Sequence, residues 1–226
     1  MAHALPEAKP LRAARPSARS RRPRGLKTRR AILGKAVRLA SVEGLEALTI
    51  GRLAADLRMS KSGLFAHFGS KEELQCSAVE AAGEVFVDEV IRPCSGLRGL
   101  RRLRCLCQHW FRHTELRVFP GGCFFTAASL EYDDRPGRVR DLIVKLMQQW
   151  LLHLEATIIE AQSSGEASPE VDPHELAFEI HSLAMGANWR SRLFKDPAAF
   201  SLARRAISTR IDEIATPAGV RERAHK

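Results

Sequence analysis

All-α is the fold class this sequence predicts, with a three-helix helix-turn-helix unit at its N-terminal end and a larger helical domain behind it. Three observations carry that reading. Apolar residues recur at i, i+3, i+4 and i+7 along most of the 226-residue chain. No stretch alternates polar and apolar residues as a half-buried strand does, and no internal repeat occurs. N-cap residues and Asp-Pro steps punctuate the chain at helix-length intervals.

Residues 1–25 place six arginines (Arg12, Arg15, Arg19, Arg21, Arg22, Arg24) among Pro6, Pro10, Pro16 and Pro23. That composition buries too little to fold alone, so a disordered basic arm is expected. Ile32, Leu33, Ala36, Val37 and Ala40 mark a first helix over about 26–42, closed by Gly44. Ile50, Leu53, Ala54 and Leu57 give a short second helix ending near Arg58. Met59 anchors the turn, Ser60 is an N-cap, and Leu64 and Phe68 form the buried stripe of a third helix. Ser70-Lys71-Glu72-Glu73 has the form of a capping box and restarts a helix at Lys71. This helix runs to about Ile91, where Pro93-Cys94-Ser95-Gly96 breaks it.

That break is the expected joint between a DNA-binding unit over 26–92, with its reading motif at about 49–68 and a linking helix over 71–91, and a regulatory domain over 93–215. Residues 216–226 are expected to be a flexible tail. Within the second unit, Leu97 to His113 is one helix, and a short segment follows Phe119-Pro120-Gly121-Gly122. Arg138 to Gln162 is a long helix with Leu142, Leu146, Trp150, Leu154 and Ile158 on one side. Asp172-Pro173 and Asp196-Pro197 each start a late helix.

The formal net charge of +10 sits at one end. Residues 1–35 carry eleven Lys and Arg against Glu7 alone, and the remainder balances. Such asymmetry suits a protein that meets a polyanion with its N-terminal face. No continuous apolar run follows the start and none reaches 18 residues, so neither a secretory signal nor a membrane span is expected. The five cysteines (Cys76, Cys94, Cys105, Cys107, Cys123) fit no disulfide framework or structural zinc spacing and point to a reducing cytoplasm. Cys105, His109 and His113 share a helix face, and His181 or Cys123 could supply a fourth ligand, but no acidic residue or second close pair completes a recognisable site, so no metal or other cofactor is expected. Arginines around Cys105 favour its thiolate, and two glycines ahead of Cys123 favour its exposure, yet inert cysteines are the expectation. No phosphate loop, nucleophile elbow or metalloprotease motif occurs, which argues against an enzyme.

The stretch Phe65-Ala66-His67-Phe68-Gly69-Ser70-Lys71-Glu72-Glu73-Leu74 resembles the Tyr-x-His-Phe-x-Ser-Lys-Glu-x-Leu signature of the TetR family of bacterial transcriptional regulators. Residue-level similarity extends over about 26–90. The resemblance implies a bacterial, cytoplasmic, homodimeric repressor released from a palindromic double-stranded operator by a small-molecule effector. The alternative is a helical dimer that binds nucleic acid without sequence preference through its basic arm. Ser60, Lys61, Ser62, Gly63, Phe65 and His67 face outward on the reading helix; Lys61 and His67 are expected at base edges or adjacent phosphates, with Thr49, Arg52 and Lys71 positioning the DNA backbone. The implied effector pocket would draw on His109, Trp110, Phe124, Met147, Trp150, His181 and Trp189. Late-helix residues Leu183, Ala187, Ile207 and Ile211 are expected at the dimer interface. The chain departs from the family pattern in carrying Arg58 where the turn usually has Gly, and Phe65 where Tyr is usual.

Overall fold

The structure is a computed structural model that describes residues 23–224, with side-chain environments over 27–220. Most of the expected basic arm therefore lies outside the described residues. Its last three residues open α1 (Pro23–Glu43), a start earlier than the apolar pattern indicates because Pro23 suits a first helical turn. Two short helices follow, α2 (Ile50–Leu57) and α3 (Lys61–Phe68), and then the longer α4 (Lys71–Phe86). Each of the last three has a serine or threonine N-cap. Thr49, Ser60 and Ser70 accept from the amides of Arg52, Gly63 and Glu73 respectively. Leu53, Leu64, Phe68 and Leu74 are buried against Ile32, Ala36 and Val37 of α1. The Arg29 guanidinium also lies over the Phe68 ring and donates to Ser77 Oγ at 2.7 Å, tying α1 to α3 and α4.

Beyond Phe86 the expected single linking helix changes pitch. A π turn (Val87–Ile91) and a 3-10 turn (Arg92–Cys94) carry it into the Pro93 break. The second unit comprises α5 (Gly99–Glu115), α6 (Phe124–Tyr132), α7 (Arg138–Ser163), α8 (Pro173–Leu193), α9 (Ala199–Ile214) and α10 (Pro217–Ala224). Two boundaries differ from expectation. Asp196 turns its carboxylate onto the Ala198 amide at 2.8 Å and defers the start of α9 to Ala199. The segment expected as a flexible tail contains α10, because Thr216-Pro217 supplies a capping hydroxyl and a proline first turn, and Thr216 N–H donates to the Glu166 carbonyl at 2.9 Å. Among the described residues there is no strand, only one isolated bridge between Ala167 and Ala215.

The two units meet where α4 packs on α7 and along a seam between α6 and α1. Glu131, near the end of α6, accepts from the amides of Leu45 and Glu46 at 2.7 and 2.9 Å, in the loop between α1 and α2. Tyr132 donates to Glu46 at 3.0 Å. At the other end of the seam, Gly121 N–H donates to Ser41 Oγ, and a β-carbon at position 121 would lie 1.4 Å from the Ser41 carbonyl oxygen. Only glycine admits so close an approach.

The core of the second unit is aromatic. Phe86 packs edge-on against Trp150, Phe125 and His113 with ring centroids 5.0 to 6.1 Å apart. His113 is 2% exposed between Phe86 and Phe119, and neither ring nitrogen has a protein partner among the described residues. Burial pushes its pKa down to about 4. His153, half-buried and beside Arg102, is likewise depressed to about 4. A base that is neutral when folded protonates more readily when unfolded, so its stabilising contribution is complete above about pH 6.5 and is lost as pH falls toward 4. Chemical denaturation should therefore show stability dropping through that window. His113→Phe should flatten the slope by up to about 3 kcal/mol across it; an unchanged slope would show that His113 is not the group responsible.

Candidate nucleic-acid interface and effector cavity

The reading head is built by the turn between α2 and α3. Arg58 adopts a left-handed conformation (φ 53°, ψ 38°). Met59 N–H bonds back to the Ala54 carbonyl and Arg58 N–H to that of Ala55, which is the Schellman pattern that glycine usually closes. An L side chain in that conformation costs about 1 kcal/mol. Ser60 then begins α3, its hydroxyl 3.1 Å from the Gly63 amide. A β-carbon at Gly63 would lie 2.9 Å from that same hydroxyl, so the glycine keeps the cap intact as well as clearing the surface.

These constraints sort the expected DNA-contacting residues. Lys61, Ser62 and Phe65 are exposed on α3, with Phe65 at 55%, and no acid lies within ion-pair reach of Lys61 among the described residues. His67 is half-buried with its ring near Phe68. Thr49 and Ser60 use their hydroxyls as helix caps. Arg52 is engaged by Glu43 at 2.6 and 3.0 Å, which holds the Glu43 carboxyl below its usual pKa. Lys71 pairs with Glu46, whose carboxyl is lowered first by that bond and further by Tyr132. Arg52 and Lys71 are thus partly neutralised within the chain, a feature that spacing did not reveal because Glu43 and Glu46 lie in a different element.

A cavity opens between α4, α5, α6, α7 and α8. Trp110, Met147, Trp150 and His181 line it, together with Phe86, Phe125, Leu146 and Thr126. No acid, lysine or arginine lines it, and burial lowers the pKa of His181, so its surface is apolar and uncharged near neutrality. Three expected lining residues sit elsewhere. Phe124 is packed into the core against Phe119 and Phe125. His109 lies at the joint, its Nδ1 3.1 Å from the Glu89 carbonyl. Trp189 is half exposed and packs edge-on against Phe194. The signal that would have found Phe86 is its contact across helices, which periodicity does not encode.

The late helices also divide differently from expectation. Ala187, Ile207 and Ile211 are at most 5% exposed and face their own core, because α8 and α9 pack on each other and on α5 and α7. Leu183 is exposed, and with it Phe178, Leu193, Phe194 and Leu202 form the outward apolar face.

The cysteines bring a further correction. Cys94 and Cys105 form a disulfide, their Cα atoms 5.8 Å apart, because the turn after α4 folds back onto α5. Cys123 is buried despite the two glycines ahead of it, and burial raises its thiol pKa.

Residues 32–75 match the family described as bacterial regulatory proteins, tetR family, and residues 99–207 match the tetracyclin repressor-like, C-terminal domain. No curated protein matches the chain. Among solved structures, a TetR transcriptional regulator from Chloroflexus aurantiacus is 23% identical with a TM-score of 0.79, covering 86% of this chain and 98% of that one. A putative transcriptional regulator from Saccharomonospora viridis in complex with choline is 22% identical (TM-score 0.69; 84% and 99% covered). AibR, solved with isovaleryl coenzyme A and operator DNA, is 22% identical (TM-score 0.65; 79% and 95% covered). These likenesses extend the shared fold across both units.

The strain at Arg58 is open to direct measurement. Arg58→Gly should raise the denaturation midpoint by the equivalent of about 1 kcal/mol without altering the denaturant slope; a loss of stability would mean that the arginine side chain contributes more than the left-handed backbone costs.

Proposed function

Since the chain belongs to the TetR family of bacterial transcriptional regulators, we propose that it acts as a homodimeric repressor, released from a palindromic operator by an uncharged, largely apolar small molecule. The observation that carries this reading is the course of α4 and α6. Gly83 and Phe86 of α4, and Phe125 and Thr126 of α6, line the cavity. The far end of α4 follows the reading helix after one capped turn, and the far end of α6 holds the α1–α2 loop through Glu131. A ligand that separates Phe86 from Phe125 therefore acts on both supports of the reading head. It shifts the equilibrium only by as much as it prefers the DNA-free arrangement.

The lining favours a ligand with an aromatic or branched aliphatic body and one polar group for Thr126 or His181. Choline and isovaleryl coenzyme A belong to the neighbouring structures named above; neither charge type finds an opposite charge on the walls of this cavity. The exposed apolar face of α8 and α9 supports the dimer, since Phe178, Leu193 and Phe194 are each 60% exposed or more. Two reading helices would then meet successive major grooves about 34–36 Å apart, or a multiple of that. The basic arm ahead of α1 would add phosphate contacts.

Footprinting against upstream DNA tests the reading. A short symmetric protected site is expected, lost on adding the effector; uniform, salt-sensitive protection without a site would replace it with non-specific binding. Lys61→Ala should weaken operator binding by about 1 to 3 kcal/mol if the lysine reads a base, and should weaken all sequences alike if it holds a phosphate. Unchanged affinity would remove Lys61 from the interface. Leu193→Glu should give a folded monomer in sedimentation, and a persistent dimer would place the interface elsewhere.

A further inference from the structure

The joint between the two units holds a cluster of soft donor atoms that the regulatory reading leaves unused. Cys94 closes the 3-10 turn after α4, and Cys105 and His109 stand one turn apart on α5. One donor atom from each of the three lies within 4.8 Å of the others. Cys94 is fully buried, whereas Cys105 and His109 are half-buried, so the cluster has a rigid floor and an accessible edge. His109 is also oriented. A carbonyl only accepts, so the 3.1 Å contact to the Glu89 carbonyl requires the proton on Nδ1 and leaves Nε2 with its lone pair. Metal-binding imidazoles are held in this way by a second partner. The Glu89 carbonyl comes from the π turn, the one place where the linking helix changes pitch.

We propose that, in the reduced chain, Cys94, Cys105 and His109 bind one soft monovalent d10 ion of the Cu(I) class, and that ion and disulfide are alternative occupants of the same two sulfurs. Two thiolates and an imidazole select such an ion by softness, and three donors suffice for a trigonal site. Charge favours the monovalent ion over Zn(II). Two thiolates with Cu(I) leave the site at −1, which Arg101 and Arg112, one turn before and after on the same face of α5, offset. With Zn(II) the site is neutral and gains nothing from them.

The exchange balances. A dithiol reductant gives two electrons and two protons to the disulfide, producing two cysteine thiols and its own disulfide. Ion binding then releases those two protons to solvent. Either occupant ties the turn after α4 to α5, so the joint is pinned in the oxidised and in the loaded chain and free only in the reduced, ion-free one.

The test is an anaerobic titration of the reduced, desalted full-length protein with Cu(I) against a chromophoric Cu(I) chelator, with Zn(II) in a parallel arm. One Cu(I) per chain is expected, and none for protein whose Cys94–Cys105 disulfide has been verified by peptide mass. Cys105→Ser should abolish the site, His109→Ala should weaken it roughly tenfold or more, and Cys107→Ser should leave it unchanged. Helicity by circular dichroism confirms that each variant folds, and sulfur–nitrogen coordination in the X-ray absorption edge identifies the donors. Equal uptake by the oxidised protein, full affinity in Cys105→Ser or His109→Ala, or tighter retention of Zn(II) than of Cu(I) would each overturn the assignment. None of these readouts involves DNA, so they stand or fall apart from the regulatory reading.

Discussion

The constraint on which this structure depends is the grip of Glu131 on the loop between α1 and α2. A loop of that kind leaves the amides of Leu45 and Glu46 without helical partners, and a single carboxylate satisfies both. The same loop presents Glu46 to Lys71, Tyr132 and Gln75, so three elements share one acid. Removing Glu131 would strand two backbone donors in a partly buried seam and release the network built on Glu46. At the other end, Gly121 lets the chain before α6 approach the backbone of α1 closer than any side chain permits. Seam and core are therefore joined by one short helix, α6, fixed at both ends.

The reading head is rigid for a different reason. Its helices are only eight residues long, too short to persist on propensity. Capping and burial hold them: three hydroxyl caps in 22 residues, and Leu53 and Leu64 with no exposed surface. The one strained residue, Arg58, sits where the chain reverses between them. Its left-handed backbone keeps α3 at the angle that turns Lys61 and Phe65 outward, so a local cost is accepted to aim the surface proposed to meet DNA.

Local rules written into the chain made much of this legible. Caps at Ser60, Ser70 and Asp172, the capping box at Lys71, the break at Pro93 and the stripes of Leu64 and Phe68 all depend on neighbours within four residues, where periodicity is informative. What stayed hidden depends on distant partners. Nothing in the spacing of Glu131 marks it as the partner of Leu45, 86 residues away. Ile207 and Leu202 look alike as apolar positions on one helix, yet one is buried in the core of its own chain and the other is 45% exposed, because the path of α5 and α8 decides which side is covered. The Cys94–Cys105 bond spans a joint whose geometry the sequence marks only as a break.

These two classes of constraint meet at Phe86. It ends the regular part of α4, and its ring is the common neighbour of Trp150, Phe125 and His113. A ligand in the cavity competes with those ring contacts directly, whereas a ligand at the surface would have to work through exposed ion pairs that salt screens. Packed aromatic cores resist continuous deformation and respond by discrete rearrangement. Displacing Phe86 moves either the helix leading to the reading head or the α6 strut that holds its loop, and the Glu131 grip prevents the second without the first. In the proposed release mechanism, coupling would thus be concentrated in α4, whose pitch changes at Val87–Ile91 while its capped N-terminal end stays regular.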